Sequence, residues 1–208
     1  MKIYKFAALL VIAGLCIGIS LTLGANEHGL HLGASPPMAN VTMKGVDGKA
    51  HTIAGVKGKK GTLVVFSCNA CPFVKKWEDR IVGIGNAYQK KGVGVIVINA
   101  NDPNREAQDG YDEMVKRAKV RGFEFPYVVD ATSDVARAFG ATRTPEVFLF
   151  DSAGKLVYHG AIDDNAHRAD RVEVAYLKNA LDAVLVGKTI AQPQTKALGC
   201  AIKFRSKT

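Results

Sequence analysis

Thr62-Leu-Val-Val-Phe66 and Val93–Asn99 are continuous apolar runs rich in β-branched residues, the kind of strand that a sheet buries on both faces. Between them the period changes. Phe73, Trp77, Ile81, Ile84 and Tyr88 recur at steps of four, four, three and four residues, which predicts a helix over Pro72–Lys91 with one apolar face. Pro72 suits the opening turn, where its missing N–H would have had no partner. Two buried strands joined by such a helix make a β-α-β unit, and this unit constrains everything else. A parallel strand pair needs a crossover on one face and cover on both.

The flanking segments fit that frame. Val41–Lys44 and Ala50–Ile53 read as two short strands around Asp47-Gly48, a tight-turn dipeptide. After the loop through Asn101, Asp102 and Pro103, a helix is expected near Tyr111–Arg121 and a short strand at Tyr127–Val129. A short helix follows at Val135–Phe139, ending at Gly140. Strands at Val147–Asp151 and Leu156–Gly160 flank a second hairpin turn. Val172–Val186 reads as the closing helix, with Val174, Leu177, Leu181 and Val184 on one face. The order gives an α/β fold: a mixed β-sheet flanked by helices, with an N-terminal β-hairpin.

At 208 residues the chain suits one domain plus a short extra segment. Residues 1–25 are that segment. Lys2 and Lys5 precede an uncharged apolar stretch from Phe6 to Ala25, which reads as an export signal or a membrane anchor. Residues 26–40, with Gly29, Gly33, Ser35 and Pro36-Pro37, read as a linker. The domain proper spans 41–190, and 191–208 form a tail carrying Cys200. The net charge is +9, but basic residues alternate with acidic ones and no run of like charge reaches five. Nucleic-acid binding is therefore not expected. The working domain is expected outside the cytoplasmic membrane, held through residues 6–25 if that segment is not cleaved.

The chemistry lies at Cys68-Asn-Ala-Cys71, between a buried strand and a helix start. A helix N-terminus offers unpaired N–H groups and partial positive charge, which favour a thiolate. The thiolate is the form that attacks disulfides. The three-residue step lets the second sulfur close on a mixed disulfide formed by the first. A zinc site would want a second Cys pair or paired histidines. Haem attachment would want His where Pro72 stands. Neither a metal nor a cofactor is expected.

Taken with four further segments, this motif resembles the thioredoxin superfamily, and within it the peroxiredoxin-like redoxin branch of alkyl hydroperoxide reductase and thiol-specific antioxidant proteins. The resemblance runs from about residue 33 to residue 204 through VVFSCNACPFVK, FEFPYVVD, TRTPEVFLFD, LVYHGAIDD and LGCAIKF. It implies a thioredoxin-like sheet and a cis peptide at Thr144-Pro145. It also implies that the Thr144 backbone faces the dithiol, where it can pair with an extended substrate, and that the cis-proline keeps metal from the cysteines. Glu146 is then a candidate proton acceptor for the deeper thiol, or else a solvated strand-edge charge. Lys75 is a candidate thiolate stabiliser or an ordinary surface lysine.

Three activities fit the resemblance. The favoured one is an exported thiol–disulfide oxidoreductase acting on protein disulfides or thiols, with Cys68 attacking and Cys71 resolving, and served by an electron donor the sequence does not identify. A peroxiredoxin-like thiol peroxidase would use Cys71 on peroxide. However, Cys68 replaces the Thr or Ser such enzymes carry three residues earlier, and Arg143 only loosely matches their peroxide-binding arginine. A non-enzymatic copper-delivery chaperone would need a longer cysteine spacing, with His159 as its histidine. Cys200 is a candidate third redox thiol, for exchange within the chain or between chains. Ile202 and Phe204 also suit a short added strand that would dock it.

Overall fold

The computed structural model describes residues 29–206. The export or anchor segment expected at 1–25 lies outside the described residues. Among those described, no helix is long and apolar enough to cross a membrane.

The expected β-α-β unit is the centre of the molecule: β3 (Gly61–Phe66), α1 (Pro72–Gln89) and β4 (Val93–Asn99). All thirteen residues of the two strands are buried. They pair in parallel from Gly61↔Val93 to Phe66↔Ile98. The hairpin strands β1 (Met43–Gly45) and β2 (Ala50–His51) lie at one edge, joined through β5 (Tyr127–Val129), which runs parallel to β4. Strands β7 (Glu146–Asp151) and β8 (Leu156–Gly160) complete the other side, each antiparallel to its inner neighbour. The order is β2-β1-β5-β4-β3-β7-β8. Two short strands stand outside this sheet: β6 (Arg143–Thr144) and β9 (Cys200–Ala201), paired antiparallel with each other.

The period of two along each strand divides the core into two layers. Leu63, Val65, Val95, Val97, Val147 and Leu149 face α1, α2 (Tyr111–Arg121) and α4 (Tyr176–Leu185). Val64, Phe66, Ile96, Ile98, Phe148 and Phe150 face α3 (Asp134–Phe139) and the N-terminal segment. Trp77 anchors α1 in the first layer: it is fully buried, and its indole N–H donates to Asp163 Oδ1 at 2.7 Å.

Two segments differ from expectation. Residues 29–40 form no helix or strand, yet they are fastened to the domain. Leu30 and Leu32 pack on the core, Gly33 N–H donates to the Leu156 carbonyl at 2.8 Å, and Leu156 N–H donates to Ala34 O at 2.8 Å. Helix α4 begins at Tyr176, later than Val172. The Asp164 carboxylate accepts the N–H groups of Glu173 and Val174, both at 3.1 Å. Those donors are satisfied by a loop carboxylate, so the chain gains nothing by starting the helix sooner.

Candidate active site

Ser67 to Cys71 pass from the end of β3 into α1, and Cys71 is the N-cap residue with extended backbone angles of φ −63° and ψ 124°. It thus stands at the opening of the first turn, with no side-chain hydrogen bond capping the helix. Cys68 and Cys71 are 2 % and 3 % exposed. The Thr144-Pro145 peptide is cis, and Thr144 contacts both cysteines. Its hydroxyl is 3.2 Å from Cys68 Sγ, and its carbonyl accepts from Cys71 Sγ at 3.1 Å. Cys200 arrives from the far end of the chain, directly opposite Thr144 in the β6–β9 register. Its sulfur lies 2.8 Å from Cys71 Sγ. The structure thus collects Cys68, Cys71, Thr144 and Cys200 in one place.

Cys71 sits between two thiols, and its proton is the one most easily lost. A hydrogen bond from Cys68 pulls its pKa down to about 4, with further help from the Cys200 thiol and the backbone N–H groups of Val74 and Cys200. The Cys68 thiol is pushed up, by donating to Cys71, by burial and by the nearby Asp109 charge. Burial and the charge of Cys71 push the Cys200 thiol up to about 11. Hydrogen bonding thus favours loss of the Cys71 proton over that of Cys68. Cys71 is also the N-cap residue of α1, at the partially positive end of the helix.

Glu146 is 3 % exposed and not a solvated charge. Its carboxylate accepts the N–H groups of Thr142 and Arg143 at 2.8 and 2.9 Å and meets His159 Nε2 at 2.7 Å. Among the described residues no cysteine is its hydrogen-bond partner; it fastens the strand that carries Thr144. His159 is committed to that pair and stacks on Phe148 with ring centroids 4.4 Å apart, away from the thiols. Among the described residues no group of three or more His, Cys, Asp or Glu is arranged to hold a metal ion. Arg143 donates to the Gly199 carbonyl at 3.2 Å, and Lys75 reaches Gln108.

Asp109 is a buried carboxylate beside the motif that no motif or spacing in the sequence pointed to. It comes from the 3₁₀ turn Ala107–Asp109, after β4, and is 2 % exposed. Its carboxylate accepts the N–H groups of Asn69 and Ala70 at 2.5 and 3.3 Å and the Asn101 amide at 2.7 Å. Asn69 Oδ1 in turn accepts from the Tyr127 hydroxyl at 3.0 Å. The available signal was topological, since loops leaving the carboxyl ends of parallel strands converge on one site. Asp109→Ala is expected to cost roughly 2–4 kcal/mol, because it strands several buried donors at once. Urea unfolding of the reduced protein measures this, and a loss within error of zero would mean the loop holds its shape without the carboxylate.

A family model for Redoxin matches residues 33–181, well over half of the chain. The chain belongs to the redoxin family. The redoxin is an oxidoreductase of the thioredoxin superfamily, and its mixed sheet between helices is the thioredoxin-like fold. It is 25% identical over 150 residues to the thiol-disulfide oxidoreductase ResA of Geobacillus thermodenitrificans, covering 71% of the redoxin and 79% of that protein. A crystal structure of an uncharacterized conserved protein from Geobacillus kaustophilus superposes with a TM-score of 0.79 at 35% identity, covering 86% of the redoxin and 94% of that chain. The solution structure of a thioredoxin-like protein in its oxidized form, at 18% identity, matches with a TM-score of 0.57 over 76% of the redoxin and 97% of that chain.

Proposed function

We propose that the chain is an exported thiol–disulfide oxidoreductase that exchanges electrons with protein disulfides or thiols through Cys68 and Cys71. The observation that carries this reading is the buried cluster of Cys68 and Cys71 at the N-terminus of α1, against the cis Thr144-Pro145 peptide and with Cys71 Sγ 2.8 Å from Cys200 Sγ. A sulfur held as a thiolate at neutral pH is the nucleophile such exchange requires. Either disulfide available to the site has Cys71 as one of its sulfurs, so Cys71 is the exchange centre and Cys68 closes the buried disulfide with it. The printed activity of the ResA relatives supports the reaction class. Lys2 and Lys5 before an uncharged stretch support export.

The full-length protein is expected to accelerate dithiothreitol-driven reduction of insulin disulfides, with turnover lost in Cys71→Ser. Retention of full activity by both Cys71→Ser and Cys68→Ser would remove the dithiol from the reaction. Rapid peroxide consumption that survives Cys68→Ser but not Cys71→Ser would instead make the protein a thiol peroxidase. Export is tested by a reporter fused at residue 40; activity confined to the cytoplasm counts against it.

A further inference from the structure

We propose that the C-terminal strand is a tethered redox segment: Cys200 forms a disulfide with Cys71, and this bond exchanges with a Cys68–Cys71 disulfide, linking the buried pair to the outside. The inference rests on the dithiol reading above and adds a third thiol to it.

Access is the first argument. Cys68 and Cys71 are almost wholly covered, whereas Cys200 is partly exposed. An incoming disulfide therefore meets Cys200 first. Placement is the second. Extended segments bind by adding a strand to a free edge, and here the edge beside the thiols is taken by β9, with Thr144 opposite Cys200. Fastening is the third. Upstream, Thr195 N–H donates to His159 O at 3.0 Å; downstream, Ile202 N–H donates to Thr142 O at 2.9 Å. Gly199 completes the fit, because a Cβ there would stand 2.1 Å from the Thr144 carbonyl oxygen. A thiol secured on both sides and 2.8 Å from a thiolate is positioned for exchange.

The Cys200 thiol gives up its proton as it attacks an incoming protein disulfide; that S–S bond breaks, and the first leaving sulfur takes the proton. The Cys71 thiolate attacks the Cys200 sulfur and expels the second partner sulfur as a thiolate, leaving a Cys71–Cys200 bond. Cys68 attacks the Cys71 sulfur, and Cys200 departs carrying the proton Cys68 lost. Two electrons have moved from the Cys68–Cys71 pair to the partner, which is now one thiol and one thiolate.

The test uses full-length protein, reduced and then treated with the thiol oxidant diamide, free thiols blocked, and digested without reduction for mass spectrometry. In Cys68→Ser a Cys71–Cys200 linkage is expected within the monomer. If both residues are recovered blocked, or joined only between chains, the proposal is overturned. Cys200→Ser separates the two readings, since it is expected to form Cys68–Cys71; failure there counts against the dithiol reading instead. Adding Gly199→Val to Cys68→Ser should abolish the Cys71–Cys200 linkage while the circular dichroism spectrum is kept. An undiminished linkage in that folded variant would show that β9 docking does not deliver Cys200. Should Gly199→Val not fold, the Cys68→Ser map alone decides.

Discussion

The reduced protein, titrated by its ultraviolet thiolate absorbance, is expected to keep one thiolate down to about pH 4, and Cys71→Ser is expected to remove it. The causes are the Cys68 hydrogen bond first, then those from Cys200 and the first-turn N–H groups. The sign for stability follows from proton linkage. Between about pH 4 and the ordinary thiol range, the unfolded chain holds a proton at Cys71 that the folded chain does not. Stability of the reduced form therefore rises with pH across that window and is lost as pH falls through about 4. Cys200 works the other way: its contribution is present below the ordinary thiol value and disappears as pH rises through about 11. A stabilised thiolate also favours the reduced state over the disulfide, so the dithiol should be more oxidising than one with ordinary thiols. An absorbance midpoint near the ordinary thiol value would contradict the whole account.

Trp77→Ala is expected to lower folding stability by roughly 3–5 kcal/mol, the range for deleting a large buried aromatic. Trp77 lies on α1 in the turn after Val74, fully buried against the sheet. Its loss opens a cavity under the helix whose first turn carries Cys71. Asp163, 4 % exposed, would also lose its indole donor and keep the Arg80 guanidinium at 2.5 Å and the Asn165 N–H at 3.0 Å. Trp77→Phe should recover much of the packing but not that hydrogen bond. Because this is the only tryptophan, unfolding is followed by far-ultraviolet circular dichroism. A loss under about 1 kcal/mol would mean the site collapses around the gap.

Much of this was legible in the sequence, for physical reasons. Strands β3 and β4 announce themselves because burial on both faces admits only apolar side chains, and the α1 face because its period differs. Cys68 and Cys71 were readable because their partner is three residues away and a helix starts beside them. What escaped depends on contacts between distant residues. Strands β6 and β9 have two residues each, too short for any period, and Cys71 meets Cys200 across 129 positions. Asp109 looks like one more polar loop residue until the fold sets it 2.5 Å from the Asn69 N–H. Glu146 resembles a strand-edge charge until His159, on the neighbouring strand, closes over it. Pro145 was legible and the role of the residue after it was not.

The outer rim of β8 carries a consequence for the behaviour of the protein in concentrated solution. A terminal strand with unfilled backbone groups is a template for other chains and a route to aggregation. Here the backbone groups of Leu156 are taken by Gly33 and Ala34, and those of His159 by Pro193 and Thr195. The two ends of the chain thus act as selvedges, finishing one margin of the cloth so that it does not fray into its neighbours. Trimming either flank for a shorter, tidier protein would therefore expose a sticky margin and reduce solubility before it touched the thiols.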